Sequence, residues 1–416
     1  MRLRHVLLAL ILCISFNTVN AENYDFVLNI YGNANMDNNI DDEDIEYIKA
    51  VIDGKETLTK LSDANNDGKV DERDIEQIKQ IIDGDEKELI LIDSANRTVA
   101  LKTPIERIVI ARKGAEEFTI LMARDKIVGI GDDAKQNNPD IVRKTGVDKV
   151  QSVGNFNSGS LDYEAIISLN PDLVIATSPS LKKGLADKIP GNIPVVALDC
   201  EVDPDLAFQD EIIKKLGYIV NEPEKADEII NWRSKYKNIL SNKISNLDPD
   251  ALPTYYVETY EKYLTYMSDQ YDSKAIKDCG GINIVDGSSF QKNELLDGEV
   301  TIDAEWLIDQ NPDYIFIREN TNAAGFNWTE EEAKKELESL IDRPGWENLK
   351  AVKNGHVYLY NKCFVRSRSE IGKVYFAKWL HPELFKDLNP DAIHAEYWKE
   401  FLDIDLEGLW VYPEPV

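Results

Sequence analysis

Histidine and cysteine are scarce in this chain, and the common catalytic patterns are missing. The 416 residues contain only 4 His and 4 Cys, with no CxxC, HExxH, GxSxG or P-loop sequence. Zinc chemistry, serine hydrolysis and phosphate-loop nucleotide binding therefore have little support. So few cysteines also exclude a disulfide framework. Beyond residue 21, one bridge between Cys279 and Cys363 and three free buried thiols (the third is Cys200) both stay open.

Positive charge is also in short supply. The chain has 47 Lys and Arg against 76 Asp and Glu, a net charge of −29. That balance disfavours nucleic acid or an anionic membrane as a partner. It suits a cationic protein surface, divalent ions or simple solubility. With 43% hydrophobic residues, a chain of this length is globular and long enough for two or three domains.

Long apolar runs are absent after the amino terminus. Residues 1–21 have two arginines, an apolar run from Val6 to Phe16 and a small-residue ending at Ala21, which predicts a secretory signal peptide. The run is too short to span a membrane. The bulky Leu12 before Cys13 argues against lipid attachment. We therefore expect an extracytoplasmic protein that is secreted, periplasmic or held at the cell surface.

Two stretches rich in Asp and Asn recur 30 residues apart, at 33–44 and 63–74. Each fits a twelve-residue calcium loop, in which oxygen donors on alternate residues curl around one ion. Neutral Asn donors begin the first loop, so we expect it to bind Ca²⁺ more weakly. The predicted ligands of two structural Ca²⁺ ions are Asn33, Asn35, Asp37, Asn39, Asp41 and Asp44 in the first loop, and Asp63, Asn65, Asp67, Lys69, Asp71 and Asp74 in the second.

Each calcium loop runs directly into one predicted helix, Asp42–Ile52 or Glu72–Ile82, with no comparable helix before it. This duplicated loop–helix pattern resembles a dockerin module more than a helix–loop–helix EF-hand pair. The resemblance implies a small all-α calcium-binding domain over residues 22–86. It also implies a cohesin-like module as a partner.

One long predicted helix, at 222–248, separates two similar regions, 87–221 and 249–416. We expect Asn221 to cap this helix and Pro223 to occupy its first turn. The segments LDYEAIISLNPDLVIA and IDAEWLIDQNPDYIFI lie on either side at matching positions. Each reads as a helix, an Asn-Pro-Asp turn and a buried strand, within a βαβ alternation. The fold class is therefore α/β, with two Rossmann-like lobes joined by a spanning helix and a ligand cleft between them.

Six segments carry a resemblance to a known family. LIDSANRTVALKTPIERIV, DKIVGIG, LDYEAIISLNPDLVIA, CGGINI, TIDAEWLIDQNPDYIFI and NGHVYLY follow the order seen in class III substrate-binding proteins of ABC importers. The resemblance implies a monomeric, non-enzymatic protein that carries an iron–siderophore or corrinoid-like metal chelate to an ABC permease. It also implies that Glu164 and Glu305, one on each lobe, dock onto arginines of the permease.

Candidate ligand residues come from the loops that follow the predicted strands, because the carboxyl ends of parallel strands line the cleft. Arginine forks bind carboxylate or catecholate oxygens, and aromatic rings cover an organic shell. The residues selected on these grounds are Arg112, Lys113, Tyr260, Tyr263, Arg318, Trp328, Arg366 and Arg368.

Two other functions remain open from the sequence. In the first, the protein is a surface scaffold that uses the dockerin-like module for calcium-dependent attachment. In the second, it is a metal-processing enzyme on the same two-lobed fold, which would require histidine at the cleft. His356, His381 and His394 all lie late in the chain and form no evident cluster.

Overall fold

The structure is a computed structural model that describes residues 26–200, 206–259, 261–290, 299–319 and 324–415. The predicted signal peptide at 1–21 and the candidate ligand residue Tyr260 lie outside these ranges. Within them, no helix is both long and apolar enough to cross a lipid bilayer.

Two loop–helix units open the described chain, with α1 at Asp42–Ile52 and α2 at Glu72–Asp83. Asp41 and Asp71 cap the two helices in the same way. Each side chain accepts a backbone N–H from the first turn, and an Asp three residues later reaches back to the cap. The loop–helix duplication predicted from the sequence is therefore present in the backbone.

The two loop–helix units share a hydrophobic core with the lobe that follows. Ile30 bridges to Leu91 in the first hairpin of that lobe. The Tyr218 hydroxyl lies 2.9 Å from the Asn39 side-chain oxygen, to which it donates, and it accepts the backbone N–H of Ile40 at 3.1 Å. Residues 26–86 are thus packed against the first lobe.

The first lobe is built on a parallel sheet with the strand order β5-β4-β3-β6-β7, preceded by the antiparallel hairpin β1-β2. Asn96 turns the hairpin with a left-handed backbone (φ 58°), which Asn tolerates in place of Gly. The elements in chain order are β1 (Glu88–Ile92), β2 (Thr98–Lys102), β3 (Ile108–Ile110), α3 (Glu116–Ala123), β4 (Ile127–Ile130), α4 (Asp132–Asn137), α5 (Pro139–Lys144), β5 (Gln151–Ser152), α6 (Tyr163–Ser168), β6 (Leu173–Ala176), α7 (Ser178–Lys182) and β7 (Val195–Ala197).

Helix α8 (Leu206–Val220) ends the first lobe, and the unbroken α9 (Pro223–Ile244) joins the two lobes. Asn221 does not cap α9 as predicted. It is left-handed (φ 60°) between the two helices, and Glu222 holds the cap position without a side-chain bond. Pro223 occupies the first turn as expected, since a missing N–H costs nothing there.

The second lobe repeats the architecture around a sheet ordered β10-β8-β12-β13-β14, parallel except for the last pair, with a separate two-stranded antiparallel sheet of β9 and β11. Its elements are β8 (Thr254–Glu258), β9 (Leu264–Tyr266), α10 (Tyr271–Lys277), β10 (Ile282–Asn283), β11 (Glu299–Thr301), α11 (Ala304–Gln310), β12 (Tyr314–Glu319), α12 (Glu330–Ile341), α13 (Lys350–Asn354), β13 (Val357–Asn361), α14 (Ser369–Leu380), α15 (Pro390–Leu402) and β14 (Val411–Tyr412).

The Asn-Pro-Asp turns have the same conformation and make equivalent hydrogen bonds in both lobes. Asn170 (φ 45°) and Asn311 (φ 48°) leave the preceding helices with left-handed backbones. The carboxylate of Asp172 then accepts the backbone N–H of Arg107 at 2.9 Å, and that of Asp313 accepts the N–H of Thr254 at 3.0 Å. Each turn thereby ties its helix to the start of a neighbouring strand.

The three cysteines at 200, 279 and 363 are buried free thiols. Of the two alternatives left open by the sequence, the structure has the one without a bridge. Burial raises the pKa of the Cys279 thiol, which donates to the backbone oxygen of Lys373 at 3.2 Å. It is a packed core group.

Candidate functional site

The two lobes meet where the strands of both sheets end. Glu117, in α3 of the first lobe, is buried and accepts hydrogen bonds from Tyr397 (2.8 Å) and Ser367 of the second lobe. Arg368 lies 3.0 Å from the same carboxylate. Its guanidinium is 5.2 Å from the ring of Trp398 and 5.4 Å from that of Trp410. A buried, charged contact therefore closes the floor of the cleft.

Further bonds cross between the lobes beside this contact. The Cys363 thiol donates to Asn138 at 3.0 Å, and the Lys362 ammonium donates to the backbone oxygen of Gln136 at 3.1 Å. A small pocket opens here between α5 and the ends of β12 and β13. It is lined by Pro139, Asp140, Glu319, Asn361, Lys362, Cys363 and Arg368. Burial raises the pKa of Asp140 in this pocket, despite the opposing charge of Arg368.

Arg112 and Lys113 follow β3 directly, as the strand-end rule predicts. Arg112 makes an ion pair with Asp133 at the start of α4, and its guanidinium lies 5.9 Å from the ring of Phe156. Its side chain is 16% exposed. One terminal nitrogen is thus committed to Asp133 while the group still reaches the cleft. Lys113 is half-buried beside it.

Arg318 and Arg368 are committed to internal partners. Arg318 donates to Asp272 at 2.8 Å. Burial alone would lower the pKa of Arg318, but the Asp272 carboxylate raises it overall. Arg368 is 2% exposed, and within the described ranges none of its three guanidinium nitrogens makes a hydrogen bond. Both arginines lie beneath the cleft surface, where they hold carboxylates of the fold.

Trp328, another candidate ligand residue, lies in the hydrophobic core of the second lobe. It is 4% exposed and belongs to the cluster built around Trp346. Its ring is therefore turned away from the cleft, because the loop before α12 folds back onto the sheet.

Tyr263 is half-buried in the turn before β9, with a left-handed backbone (φ 64°). Its N–H donates to Glu258 at 2.9 Å, and the guanidinium of Arg343 lies 5.4 Å from its ring. Arg343 in turn donates to both oxygens of Glu258, at 2.7 and 2.8 Å. The structure thus places Tyr263 in a local turn network.

Arg366 differs from the other candidate arginines. It follows β13, is half-buried, and its guanidinium lies 4.8 Å from the ring of Tyr271 at the start of α10. Among the described residues it makes no ion pair with Asp or Glu. It adjoins Ser367 and Arg368, which contact the first lobe. A cation over an aromatic ring therefore lies at the cleft, and no carboxylate of the described residues is paired with it.

Sequence reasoning missed several residues that shape this site. Asp133 follows β4, so the strand-end rule that selected Arg112 also indicates Asp133. Tyr271 opens helix α10, so its position gives no clear strand-end signal, whereas Tyr255, Tyr256 and Tyr266 lie within strands and are buried in the fold. Glu117 carries no local sequence signal, since its partners lie about 250 residues away.

Glu164 and Glu305 occupy equivalent positions in the two lobes. Each lies in the first turn of the helix before an Asn-Pro-Asp turn, α6 or α11, and each is exposed. In a βαβ unit a helix runs antiparallel to the strand that follows it, so its first turn lies at the carboxyl edge of the sheet. Both carboxylates are accessible to a partner at that edge.

The candidate calcium loops contain buried carboxylates at their last positions. In the first loop, Asp44 accepts backbone N–H groups from Asn35 (3.1 Å) and Asp41 (2.9 Å), and burial raises its pKa to about 7. In the second, Asp74 does the same with Asn65 (3.2 Å) and Asp71 (2.8 Å), and burial also raises its pKa. Each loop thus holds a buried acidic group that a cation would stabilise.

Two other predicted ligands of the second loop make ion pairs with an arginine side chain of the same loop–helix unit. Arg73 makes ion pairs with Asp67 (2.5 Å) and Asp71 (2.7 Å), and its hydrogen bonds hold the pKa of Asp71 at about 2. Across the described part of the chain, no three His, Cys, Asp or Glu side chains are grouped as a metal site. The oxygen donors are those that Ca²⁺ prefers, but Arg73 takes up two of the carboxylates.

Two α/β lobes on parallel sheets, joined by one long helix with a charged cleft between them, define a class of two-lobed binding proteins. A family model described as periplasmic binding protein matches residues 113–362, which cover most of the first lobe, all of α9 and the larger part of the second lobe. The chain therefore belongs to the periplasmic binding protein family.

The relatives agree with this assignment. The molybdate-binding protein MolA of Haemophilus influenzae is 22% identical over 331 residues, covering 73% of this chain and 88% of MolA. The Fe(3+)-citrate-binding protein YfmC of Bacillus subtilis is 28% identical over 235 residues, covering 56% of this chain and 65% of YfmC. Among solved structures, the TroA-like periplasmic binding protein FepB of Veillonella parvula superposes with a TM-score of 0.66 at 23% identity, over 77% of this chain and 98% of that one.

Membership in the family fixes the general role. The protein is a non-enzymatic, extracytoplasmic substrate-binding component of an ABC transporter, and it works with a permease. The family match begins after the two loop–helix units, so the comparisons do not support a dockerin-like module or a cohesin partner.

Proposed function

We propose that the protein captures an anionic metal chelate, of the iron–siderophore or corrinoid-like kind, and delivers it to an ABC permease. The observation that carries this proposal is Arg366, which stacks on Tyr271 at 4.8 Å and makes no carboxylate ion pair within the described ranges. In a chain with a net charge of −29, acidic partners are abundant. An arginine left without one at a cleft is suited to a ligand.

The chemistry of Arg366 favours a planar or oxygen-rich anion. The ring of Tyr271 helps to hold the guanidinium in position, and guanidinium N–H groups can form paired bonds to carboxylate, catecholate or oxyanion oxygens of a ligand. The exposed part of the Tyr271 ring can then cover apolar atoms of the same ligand.

Arg112 supplies a second cation from the opposite lobe. Asp133 holds it in place and Phe156 lies against it, so the first lobe offers the same combination of guanidinium and ring as the second. A ligand bound between Arg112 and Arg366 would touch both lobes. MolA and YfmC are named for molybdate and ferric citrate, which are an oxyanion and an anionic chelate. Their ligands are consistent with an anionic cargo here.

The proposal is tested by titrating the protein with ferric hydroxamate and catecholate siderophores, ferric citrate, molybdate, haem and cobalamin, with tryptophan fluorescence as the signal. For the ligand that binds most tightly, we expect Arg366→Gln to weaken binding at least tenfold, because a charge-assisted paired bond is lost. Arg366→Lys should retain part of the affinity. Arg124→Gln, at an exposed arginine outside the cleft, is the matched control. Equal affinity in Arg366→Gln and the wild type would refute the proposed site.

We also propose that the loops at 33–44 and 63–74 each bind one structural Ca²⁺ ion. The support is the oxygen-donor spacing together with the buried carboxylates of Asp44 and Asp74. Isothermal titration calorimetry with Ca²⁺ tests this proposal. We expect two sites, with Asp74→Ala removing the tighter one and the exposed Glu72→Gln removing neither. A titration that shows no heat of Ca²⁺ binding would refute the proposal.

A second candidate function is attachment through the loop–helix units to a cohesin-like partner. One observation favours it: Ile52 and Ile82 are exposed at equivalent places near the ends of α1 and α2, and Leu58 is exposed between them. Calcium-dependent binding of immobilised cohesin modules to the wild type but not to Ile52→Ser/Ile82→Ser would support this function. Binding that is unchanged by these substitutions would contradict it.

A further inference from the structure

Large apolar side chains are seldom exposed in the described part of this protein, and one of them lies beside a proposed docking residue. Ile167 is 38% exposed on α6, three residues after Glu164. Residues three apart on a helix are neighbours on its surface. The side chains that form the hydrophobic clusters are buried or half-buried, whereas Ile167 is exposed. The carboxylate and the apolar side chain thus form one continuous patch.

The matching position in the second lobe is built differently. Ile308 follows Glu305 by the same three residues, but it packs against the core cluster of the second lobe. Its terminal carbon lies so close to Gly345 that a Cβ atom there would approach it to 2.4 Å. Gly345 has a left-handed backbone (φ 85°), which brings its loop over Ile308. The two docking positions therefore share a carboxylate, but only the first lobe adds an exposed apolar group.

We infer that Ile167 is part of the permease contact, and that it inserts into an apolar depression beside a basic group of the permease. This inference rests on the proposed docking role of Glu164 and Glu305 and extends it. Burying an exposed isoleucine next to a charge pair excludes water from that pair and strengthens docking. Because Ile308 at the matching position of the second lobe packs into the core, the two lobes make different contacts with the permease.

The test measures binding of the ligand-loaded protein to its cognate permease in lipid nanodiscs by surface plasmon resonance. We expect Ile167→Ser to weaken docking about fivefold, whereas Ile167→Val restores most of the affinity. Ile282, which is 42% exposed on β10, is the matched control, and Ile282→Ser should dock like the wild type. Ligand affinity, measured separately by fluorescence, should be the same in all variants.

A paired variant separates this inference from the docking proposal on which it rests. Glu164→Gln/Glu305→Gln should weaken docking more than tenfold, because both charge contacts are lost. If that double variant is impaired while Ile167→Ser docks normally, the inference about Ile167 is wrong and the docking glutamates stand. If the double variant docks like the wild type, the docking proposal itself fails. Equal losses in Ile167→Ser and Ile282→Ser would also overturn the inference.

Discussion

The guanidinium of Arg368 in the second lobe lies 3.0 Å from the carboxylate of Glu117 in the first, and both groups are buried. This pair joins the lobes directly beneath the cleft. Glu117 accepts hydrogen bonds from Tyr397 and Ser367, whereas within the described ranges the guanidinium of Arg368 makes no hydrogen bond. The charge of Arg368 is thus balanced mainly by one carboxylate.

Removing that carboxylate should be costly. We expect Glu117→Ala to lower the free energy of unfolding by about 3 kcal/mol, because it leaves a buried cation uncompensated. Urea denaturation followed by circular dichroism measures the change. The double variant Glu117→Leu/Arg368→Met should recover much of the loss, since neither charge then remains. A double variant less stable than Glu117→Ala would contradict this explanation.

The free energy of unfolding should depend on pH through the protonation of His394. Burial, followed by the nearby charge of Arg368, lowers the pKa of this histidine well below its usual value. The folded state therefore favours neutral imidazole. Its contribution to stability is present above the unfolded pKa of about 6.5 and is lost as the pH falls, at about 1.4 kcal/mol per unit.

His394→Gln provides the check on this pH dependence. Glutamine can still accept the N–H that Trp398 donates to the ring at 3.0 Å, but it binds no proton in this range. The fall in unfolding free energy between pH 7 and pH 5 should be smaller in the variant than in the wild type. An identical fall in both proteins would show that His394 is not the group responsible.

Calcium should stabilise the first lobe as well as the loops. The Tyr218 hydroxyl bonds both Asn39 and Ile40 of the first loop, and the loop–helix units share a core with the lobe. We expect 1 mM Ca²⁺, about a hundred times a Kd of about 10 µM, to raise the unfolding free energy by roughly 2–3 kcal/mol for each loop that binds with this affinity. Tyr218→Phe should reduce this gain while leaving ligand binding intact. Equal melting temperatures with Ca²⁺ and with EDTA would contradict the coupling.

The lobes should move little when the ligand binds. Arg233 of α9 bonds Asp210 of α8 at 2.8 Å and lies 2.9 Å from Glu370 of α14, so the connecting helix is fastened to elements of both lobes. We expect the radius of gyration, measured by small-angle X-ray scattering, to change by less than about 1 Å on ligand binding. A much larger decrease in the radius of gyration would show that the lobes close about a hinge, which contradicts this expectation.

The sequence was most informative for elements that depend on local pattern. The buried strands predicted after the two Asn-Pro-Asp turns are present as β6 and β12, because strands buried on both faces read as short apolar runs. The predicted spanning helix coincides with α9 to within a few residues, since Pro223 marks its start and Pro249 stops it soon after its end.

The roles of individual arginines could not be predicted in the same way. Arg112 and Arg318 were selected by their position after strands, but each is held by an acid 21 or 46 residues away along the chain. Such partners are set by tertiary packing, which leaves no local signal. Trp328 was selected for its proximity to Arg318 in sequence, and packing turned it into the core. Arg366 was selected by the same rule, and the structure places it at the cleft, beside Ser367 and Arg368.

The most direct test is an anomalous difference map from crystals grown with the ferric chelate that binds most tightly in the titration panel. We predict one iron peak between the lobes, near Arg366 and Tyr271 on one side and Arg112 on the other. An iron peak at the loops of residues 33–74, or elsewhere on the surface with the cleft empty, would contradict capture of the chelate between the lobes.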